Sequence, residues 1–244
     1  EALLNLMVAP IAIAIENARL YEEIAQRERD LQSDLQAAWE LQKIMVPTVA
    51  PRIEGLDIAI GFKPARRISG DLYQFYDLGD GQWLIAFGDV SGKGLAAALY
   101  GALVNGLLST LAPRKNSPAS LLKATNHMLM RRQIGTRYIA LMVLSWHAAT
   151  RTFRIANAGS TPLLVCRGKQ LLQPEAAGIP LGMVKGTHYE EIHFHAQPGD
   201  VLVLHSDGFS DQMNADGDQY TVERLIALLK GRAELNPKQL VQEI

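Results

Sequence analysis

The spacing of apolar and polar positions changes along this chain, and the changes mark strands lying between helices. Residues 71–76 (Asp-Leu-Tyr-Gln-Phe-Tyr) alternate polar and apolar, the period of a half-buried strand. Residues 83–87 (Trp-Leu-Ile-Ala-Phe) are an unbroken apolar run, short enough for a buried strand. Gly79-Asp80-Gly81 separates the two and predicts a hairpin. A hairpin centred on Asp80 places Asp71 opposite Asp89, give or take a register step. Residues 138–146 with 152–156, and 163–167 with 170–173, read as two further hairpins. Residues 201–204 read as another buried strand, and residues 56–62, where the alternation is weak, as an early one. Strong helix formers run from Leu95 to Leu111, and Ser117-Pro118 supplies an N-cap and first-turn proline for a helix reaching about Arg132. Asn236-Pro237 opens a last helix that continues to Ile244. Strand-rich segments between paired helices make the chain α+β and suggest two stacked sheets with helices outside.

The N-terminal part is different. Residues 21–45 contain no helix breaker and are dense in charge. Ile24, Leu31, Ala38 and Met45 recur every seven residues, with Leu35 and Leu41 between them. The other heptad seam carries Glu28 and Gln42, so a coiled coil here is loosely specified. Two readings stand: a helix that pairs with a second copy of itself, or a single helix packing its stripe on its own domain. Pro47 and Pro51 end it. The apolar stretch from Leu3 to Ile15 is too short to cross a bilayer, is interrupted by Asn5 and Pro10, and lacks the basic flank of a signal peptide. No membrane segment is expected.

Composition narrows the field. With 244 residues, 48% of them hydrophobic, the chain can build one good-sized core plus an appendage. A net charge of −1 offers no electrostatic reason to propose a nucleic-acid partner. The single cysteine, Cys166, excludes an intrachain disulfide framework, suits a reducing cytoplasm, and reads as a small buried residue of its strand.

The candidate chemistry lies where the strand of residues 83–87 ends, in Gly88-Asp89-Val90-Ser91-Gly92-Lys93-Gly94. Three glycines let the backbone turn sharply and bring its carbonyls near a bound ion or phosphate. A nucleotide-binding P-loop needs four residues before Gly-Lys and a Ser or Thr after it; here three residues separate Gly88 from Gly92, and Gly94 follows the lysine. Asp89 is then either the cap of the following helix or a ligand. Asp71 across the hairpin and Asp207, in Ser206-Asp207-Gly208 after the strand of residues 201–204, favour the ligand. Carboxylates at strand ends suit hard divalent cations that take oxygen ligands.

Seven pieces, in order, carry a specific resemblance: Leu41-Gln42 through Pro47, Ser69-Gly70-Asp71, the Gly88–Gly94 motif, Ala158-Gly159, Gly178-Ile179-Pro180-Leu181-Gly182, Pro198-Gly199-Asp200 and Ser206-Asp207-Gly208. Together they resemble the metal-dependent protein phosphatases (PPM family) of the bacterial SpoIIE-like or RsbU-like group. The resemblance spans roughly residues 39–229. It implies an αββα sandwich and a serine/threonine phosphatase working through two Mn2+ or Mg2+ ions. It further implies Asp89 as bridging ligand, the Val90 carbonyl as a further ligand, Asp207 as the second metal-binding acid, and Asp71 as the first, directly or through a water. The implied substrate is a phosphorylated STAS-domain anti-sigma-factor antagonist. Residues 11–21 resemble the last helix of a GAF sensor domain, with a plain amphipathic helix as the alternative. The expected organisation is therefore 1–20 as the end of a GAF-like domain, 21–47 as a helical linker that dimerises, and 48–244 as the phosphatase domain.

Some residues depart from that pattern. Ser69 stands where a glycine is usual, Ser160 where a histidine is usual, and Tyr220-Thr221 where an aromatic-glycine pair is usual. Nothing after Asp218 matches the family's closing acidic pair, so the phosphatase domain is expected to be incomplete at its C-terminus. His193 and His195 would share a strand face without a further ligand cluster and read as solvated. Arg66-Arg67 read as surface charge, and Asp200, Asp211, Asp216 and Asp218 as turn residues. Two other classes remain: a catalytically silent phosphatase-like binding module, and a sensor protein in which Asp89 is only a structural cap.

Overall fold

The computed structural model describes residues 2–63, 69–115, 117–132, 136–214, 216–231 and 235–243, with side chains from residue 10 onward. Arg66-Arg67 lie outside the described residues. Two compact units are present, Glu1–Leu41 and Gln42–Ile244. The first is helical, part of α1 (Ala2–Met45), whose last turn belongs to the second unit. Pro10 lies inside α1 without ending it, and the helix stops ahead of Pro47 as expected.

The second unit is built on two antiparallel sheets. The first holds β1 (Asp71–Gly79), β2 (Gln82–Val90), β3 (Ile139–His147), β4 (Thr152–Ala158) and β7 (Ile192–His195), in the order β1-β2-β3-β4-β7. The second holds β5 (Leu164–Arg167), β6 (Gln170–Leu172) and β8 (Val201–Val203), in the order β6-β5-β8. The three hairpins expected from the sequence all form, joining β1 to β2, β3 to β4 and β5 to β6.

Alternation decides what each strand face meets. In β3, Leu141 and Val143 join the core under α2 (Leu95–Leu111) and α3 (Pro118–Arg132). Their neighbours Met142, Leu144 and Trp146 join the core between the sheets, with Phe153 of β4 and Val165 of β5. Leu164 and Cys166 point the other way, into a third core formed with α5 (Val222–Gly231) and α6 (Pro237–Glu243). Helices, sheet, sheet and helices thus make the αββα sandwich. A fully buried Leu or Ile in such a core contributes about 1.5–3 kcal/mol.

Local chemistry sets the helix starts. Ser117 accepts the Ser120 N–H at the head of α3, and Ser120 Oγ accepts the Ser117 N–H. Asn236 and Gln239 make the same reciprocal pair at α6. The stretch from Leu95 to Arg114 is long and apolar enough to cross a membrane by length and composition, with mean hydropathy 1.6. Here α2 lays Ala97, Tyr100, Val104 and Leu108 into the core under the first sheet.

One expected element is absent. Residues 56–62 form no strand; an isolated bridge joins Ile53 to Leu56, and the chain beyond is irregular. Ile53 is buried in the inter-sheet core, and the Trp146 indole N–H donates to the Glu54 carbonyl at 2.9 Å. Leu56 and Ile58 pack against the same core, and the segment's weak alternation provides no complete face for a ladder.

Candidate metal centre

The β1–β2 ladder places Asp71 directly opposite Asp89. Both lie at the end of the first sheet, on the face that carries Phe75 and Ile85 toward the inter-sheet core. Ser206-Asp207 follows β8 of the second sheet, and Asp207 is the first residue of the short helix α4 (Asp207–Ser210). The acids come from two sheets and three elements, as the sequence motifs require.

The three acids influence one another's ionisation. Burial, then the charges of Asp71 and Asp207, push the Asp89 carboxyl up to about 6, against a smaller opposing effect of the Val90 backbone. Burial also raises Asp71, with the charge of Asp207 adding to it, while the hydroxyls of Ser69 and Ser206 favour its ionised form. Among the described residues no Lys or Arg forms an ion pair with any of the three. Negative charge is therefore concentrated here, and among the described residues no ion pair balances it.

The backbone adds oxygen. Val90 closes β2 and donates its N–H to the Gly70 carbonyl at 3.2 Å. A Cβ on Gly70 would lie 2.7 Å from Asp89 Oδ1 and 2.9 Å from the Val90 carbonyl oxygen, so both oxygens pack against a residue that has no side chain. The turn that follows is held to β3, since the Ser91 N–H donates to the Tyr138 carbonyl and the Tyr138 N–H to Ser91 Oγ. Gly94, at φ 76, is the N-cap of α2, and no side chain caps that helix. Asp89 is thus not the helix cap.

All these donors are hard oxygens, and the uncompensated charge is of the right sign for a divalent cation. Among the described residues no three His, Cys, Asp or Glu lie close enough together to hold a metal ion. The oxygens on offer here are those of Asp71, Asp89 and Asp207 and the Val90 carbonyl.

Other candidates take their places. His193 and His195 are exposed on β7, and His193 Nε2 lies 3.8 Å from Glu191 Oε1. Asp200 accepts two hydrogen bonds from Arg167, at 2.8 and 2.7 Å, and one from the Gln197 N–H, tying β5 to the turn before β8. Asp211 follows α4, and Asn214 Oδ1 accepts the N–H groups of Asp216 and Asp218. These are turn roles, as read from the sequence.

Three residues beside the acids receive no role from the sequence. Ser69 Oγ donates to Asp71 Oδ2 at 2.8 Å and accepts the Asp71 N–H at 3.1 Å. Ser206 approaches Asp71 from the second sheet. His205, buried, is held below its usual pKa by burial, with the Ser206 carbonyl and the Asp207 charge opposing. Ser69 and Ser206 were visible inside their motifs, but only the closed fold shows that both serve Asp71.

The family model described as Stage II sporulation protein E (SpoIIE) matches residues 79–244. Phosphoserine phosphatase RsbU of Bacillus subtilis (strain 168) is 28% identical over 193 residues, covering 78% of this chain and 57% of RsbU. The chain thus spans little more than half the length of that relative. The SiaA-PP2C domain of Pseudomonas aeruginosa matches with a TM-score of 0.74 at 19% identity, over 88% of both chains. RsbX, solved in complex with magnesium, matches with a TM-score of 0.55 at 17% identity, over 74% of this chain and 80% of RsbX. At these identities the two structures speak to the fold, which is that of the PP2C phosphatases.

Proposed function

Because the chain belongs to the Stage II sporulation protein E (SpoIIE) family, we propose that it is a metal-dependent protein phosphatase of bacterial signalling. It hydrolyses phosphoserine or phosphothreonine to the free hydroxyl and inorganic phosphate. Asp89 and the Val90 carbonyl, side by side against Gly70, would hold the metal together with Asp71 and Asp207. Mn2+ or Mg2+ bound there supplies Lewis acidity, which makes water a better nucleophile and offsets charge on the phosphoryl oxygens. The magnesium in RsbX supports this choice of ion. The kinship with RsbU, a phosphoserine phosphatase, supports a phosphoserine substrate; a phosphorylated STAS-domain protein as that substrate and the cytoplasm as the place of action belong to the same reading.

The upstream part completes the reading. Residues 1–20 are the end of a GAF-like sensor, residues 21–47 a linker that pairs two copies, and residues 48–244 the phosphatase region. Ile24 and Leu31, both 60% exposed, are available to a partner helix.

One observation carries the proposal: Asp71 and Asp89 are paired across β1 and β2, the charge of Asp207 acts on both, and among the described residues no ion pair offsets them. Phosphate release from a phosphoserine peptide, with and without Mn2+, tests it. Release that depends on Mn2+ and falls by more than about 100-fold in Asp89→Asn is expected, a loss larger than removing a supporting residue causes. Turnover by that variant at the wild-type rate in saturating Mn2+ excludes this site.

A further inference from the structure

We infer that the groove between the exposed face of α3 and the loop of residues 182–188 docks an acidic segment of the protein substrate, outside its phosphorylated residue; this rests on the phosphatase reading above. In α3, Lys123, His127 and Arg131 recur every four residues and are exposed, while Leu121, Leu122 and Leu129 are buried. The helix contains no Asp or Glu, so none of these basic side chains has an acidic neighbour one turn away. A helix face that serves solubility alone mixes both signs. The loop adds Lys185 and His188 and has no acid before Glu190. Among the described residues no ion pair engages Lys123, His127, Arg131 or Lys185.

Helix and loop enclose a hollow of about 320 Å3 lined by His127, Met130, Arg131, Lys185 and Gly186. A second hollow, of about 550 Å3, shares Lys185 and Gly186 with the first and reaches Ile179 and Val184. Ile179, Met183 and Val184 are large apolar residues left exposed, so the basic side chains stand beside apolar surface. Apolar surface next to arginine and lysine suits a protein segment. A nucleic-acid backbone would be held by charge alone. Arg131 also complements the C-terminal end of α3, as a base there does in any helix. That role does not account for Lys123 and His127 in mid-helix, nor for Lys185 on the loop.

The groove belongs to the end of the sheet that carries the acids. Asp89 and Val90 stand opposite Ala140 and Ile139 in the β2–β3 ladder. Ile139 exchanges both backbone hydrogen bonds with Leu181, at 3.0 and 2.9 Å. The next residue, Gly182, donates its N–H to Asn126 Oδ1 at 2.8 Å, and Asn126 Nδ2 donates to the Val184 carbonyl at 2.8 Å. One buried amide of α3 thus grips the loop on both sides of Met183, a single position before His127. The loop is set in place before anything binds, so docking costs little in ordering it. A protein chain that presents its phosphoryl group to Asp89 has to pass over this end of the sheet. Asp71, Asp89 and Asp207 repel any acidic residues that chain carries, and the groove offers those residues the opposite sign.

The test compares two phosphoserine peptides of equal length on the full chain, one flanked on both sides by Asp and Glu, the other by Asn and Gln. In Mn2+, kcat/KM should favour the acidic peptide by about tenfold, the worth of two or three exposed ion pairs. The preference should reside in KM and shrink as salt rises. Arg131→Glu and Lys185→Glu should each reduce the ratio, and the double variant should reverse it. Every variant is compared between the two peptides, so a general loss of activity cancels. Arg114→Glu, at an exposed base just beyond the C-terminal end of α2, controls for net charge and should keep the ratio. Equal kcat/KM for the two peptides in the wild type overturns the inference. So does a ratio unchanged in the double variant, or lowered as much by Arg114→Glu. A wild type that releases no phosphate removes the phosphatase reading instead. Fluorescence anisotropy with the labelled, unphosphorylated acidic peptide then decides the groove alone: binding lost in the double variant supports it, and binding that is absent or unaffected overturns it. An oligothymidylate bound more tightly than that peptide would assign the face to nucleic acid and overturn it as well.

Discussion

Asp71 and Asp89 face one another across the β1–β2 ladder as a directly opposed pair, two carboxylates where like charges are destabilising. Nothing in ordinary hairpin energetics favours this arrangement. It is maintained by the strands on which the acids sit, and it stores a repulsion that a cation would relieve.

That repulsion has a pH signature. Asp89 is raised from its ordinary 3.8 to about 6 by burial first, then by its two acidic neighbours. A carboxyl whose folded pKa is raised contributes stability below its unfolded pKa and loses it as pH rises through the folded value. The metal-free chain should therefore weaken between about pH 4 and about pH 6. Asp89→Asn cannot ionise, so above that range it should be more stable than the wild type by about 1–2 kcal/mol, allowing for solvent screening. Chelated samples melted across the range check this, and a variant less stable than wild type at neutral pH contradicts it.

Gly70 should be intolerant of any side chain. A Cβ there would press on Asp89 Oδ1 at 2.7 Å and on the Val90 carbonyl at 2.9 Å. Gly70→Ala is expected to cost about 1–3 kcal/mol by overpacking and to lower Mn2+ affinity by moving both oxygens. A chemical melt and a titration on the same variant read the two effects. Wild-type affinity in a destabilised variant would mean that only the packing needs the glycine.

The Arg167–Asp200 pair ties β5 to the turn before β8. The Asp200 side chain is 2% exposed, and burial alone would raise its pKa. The hydrogen bonds from Arg167 and the Gln197 N–H outweigh that and hold it below the usual range. Arg167→Ala should cost about 2–3 kcal/mol, because it strands a buried carboxylate. A carboxyl with a lowered folded pKa contributes stability above its unfolded pKa and loses it as pH falls. The deficit of the variant should accordingly be full at neutral pH and shrink in acid below about pH 4. A deficit that does not change with pH would assign Arg167 a packing role, through its stacking over Phe194.

The linker seam makes a separate prediction. If Ile24 and Leu31 pair two chains, sedimentation should show a dimer that polar substitutions at Leu31 and Ala38 convert to monomer. A wild-type chain that stays monomeric at high concentration would show the seam serving another purpose.

Sequence by itself determined most of the elements and singled out the three acids. Period-two alternation in residues 71–76 and the Gly79-Asp80-Gly81 turn were enough to set Asp71 across from Asp89, because a short turn leaves a hairpin little freedom of register. The starts of α3 and α6 were legible for the same local reason: Ser117-Pro118 and Asn236-Pro237 carry their capping chemistry with them. Residues 56–62 misled, because weak alternation is compatible with a strand, and a core that takes Ile53 and the Glu54 carbonyl instead is invisible in one dimension. Tertiary structure alone decided that the charge of Asp207, after the second sheet, acts on a pair on the first, that Gly94 rather than Asp89 caps α2, and that Gln42 reaches Ser69. Each of those relationships depends on side chains far apart in sequence meeting across a packed interface. Periodicity records which face a residue occupies, and folding chooses what that face will meet.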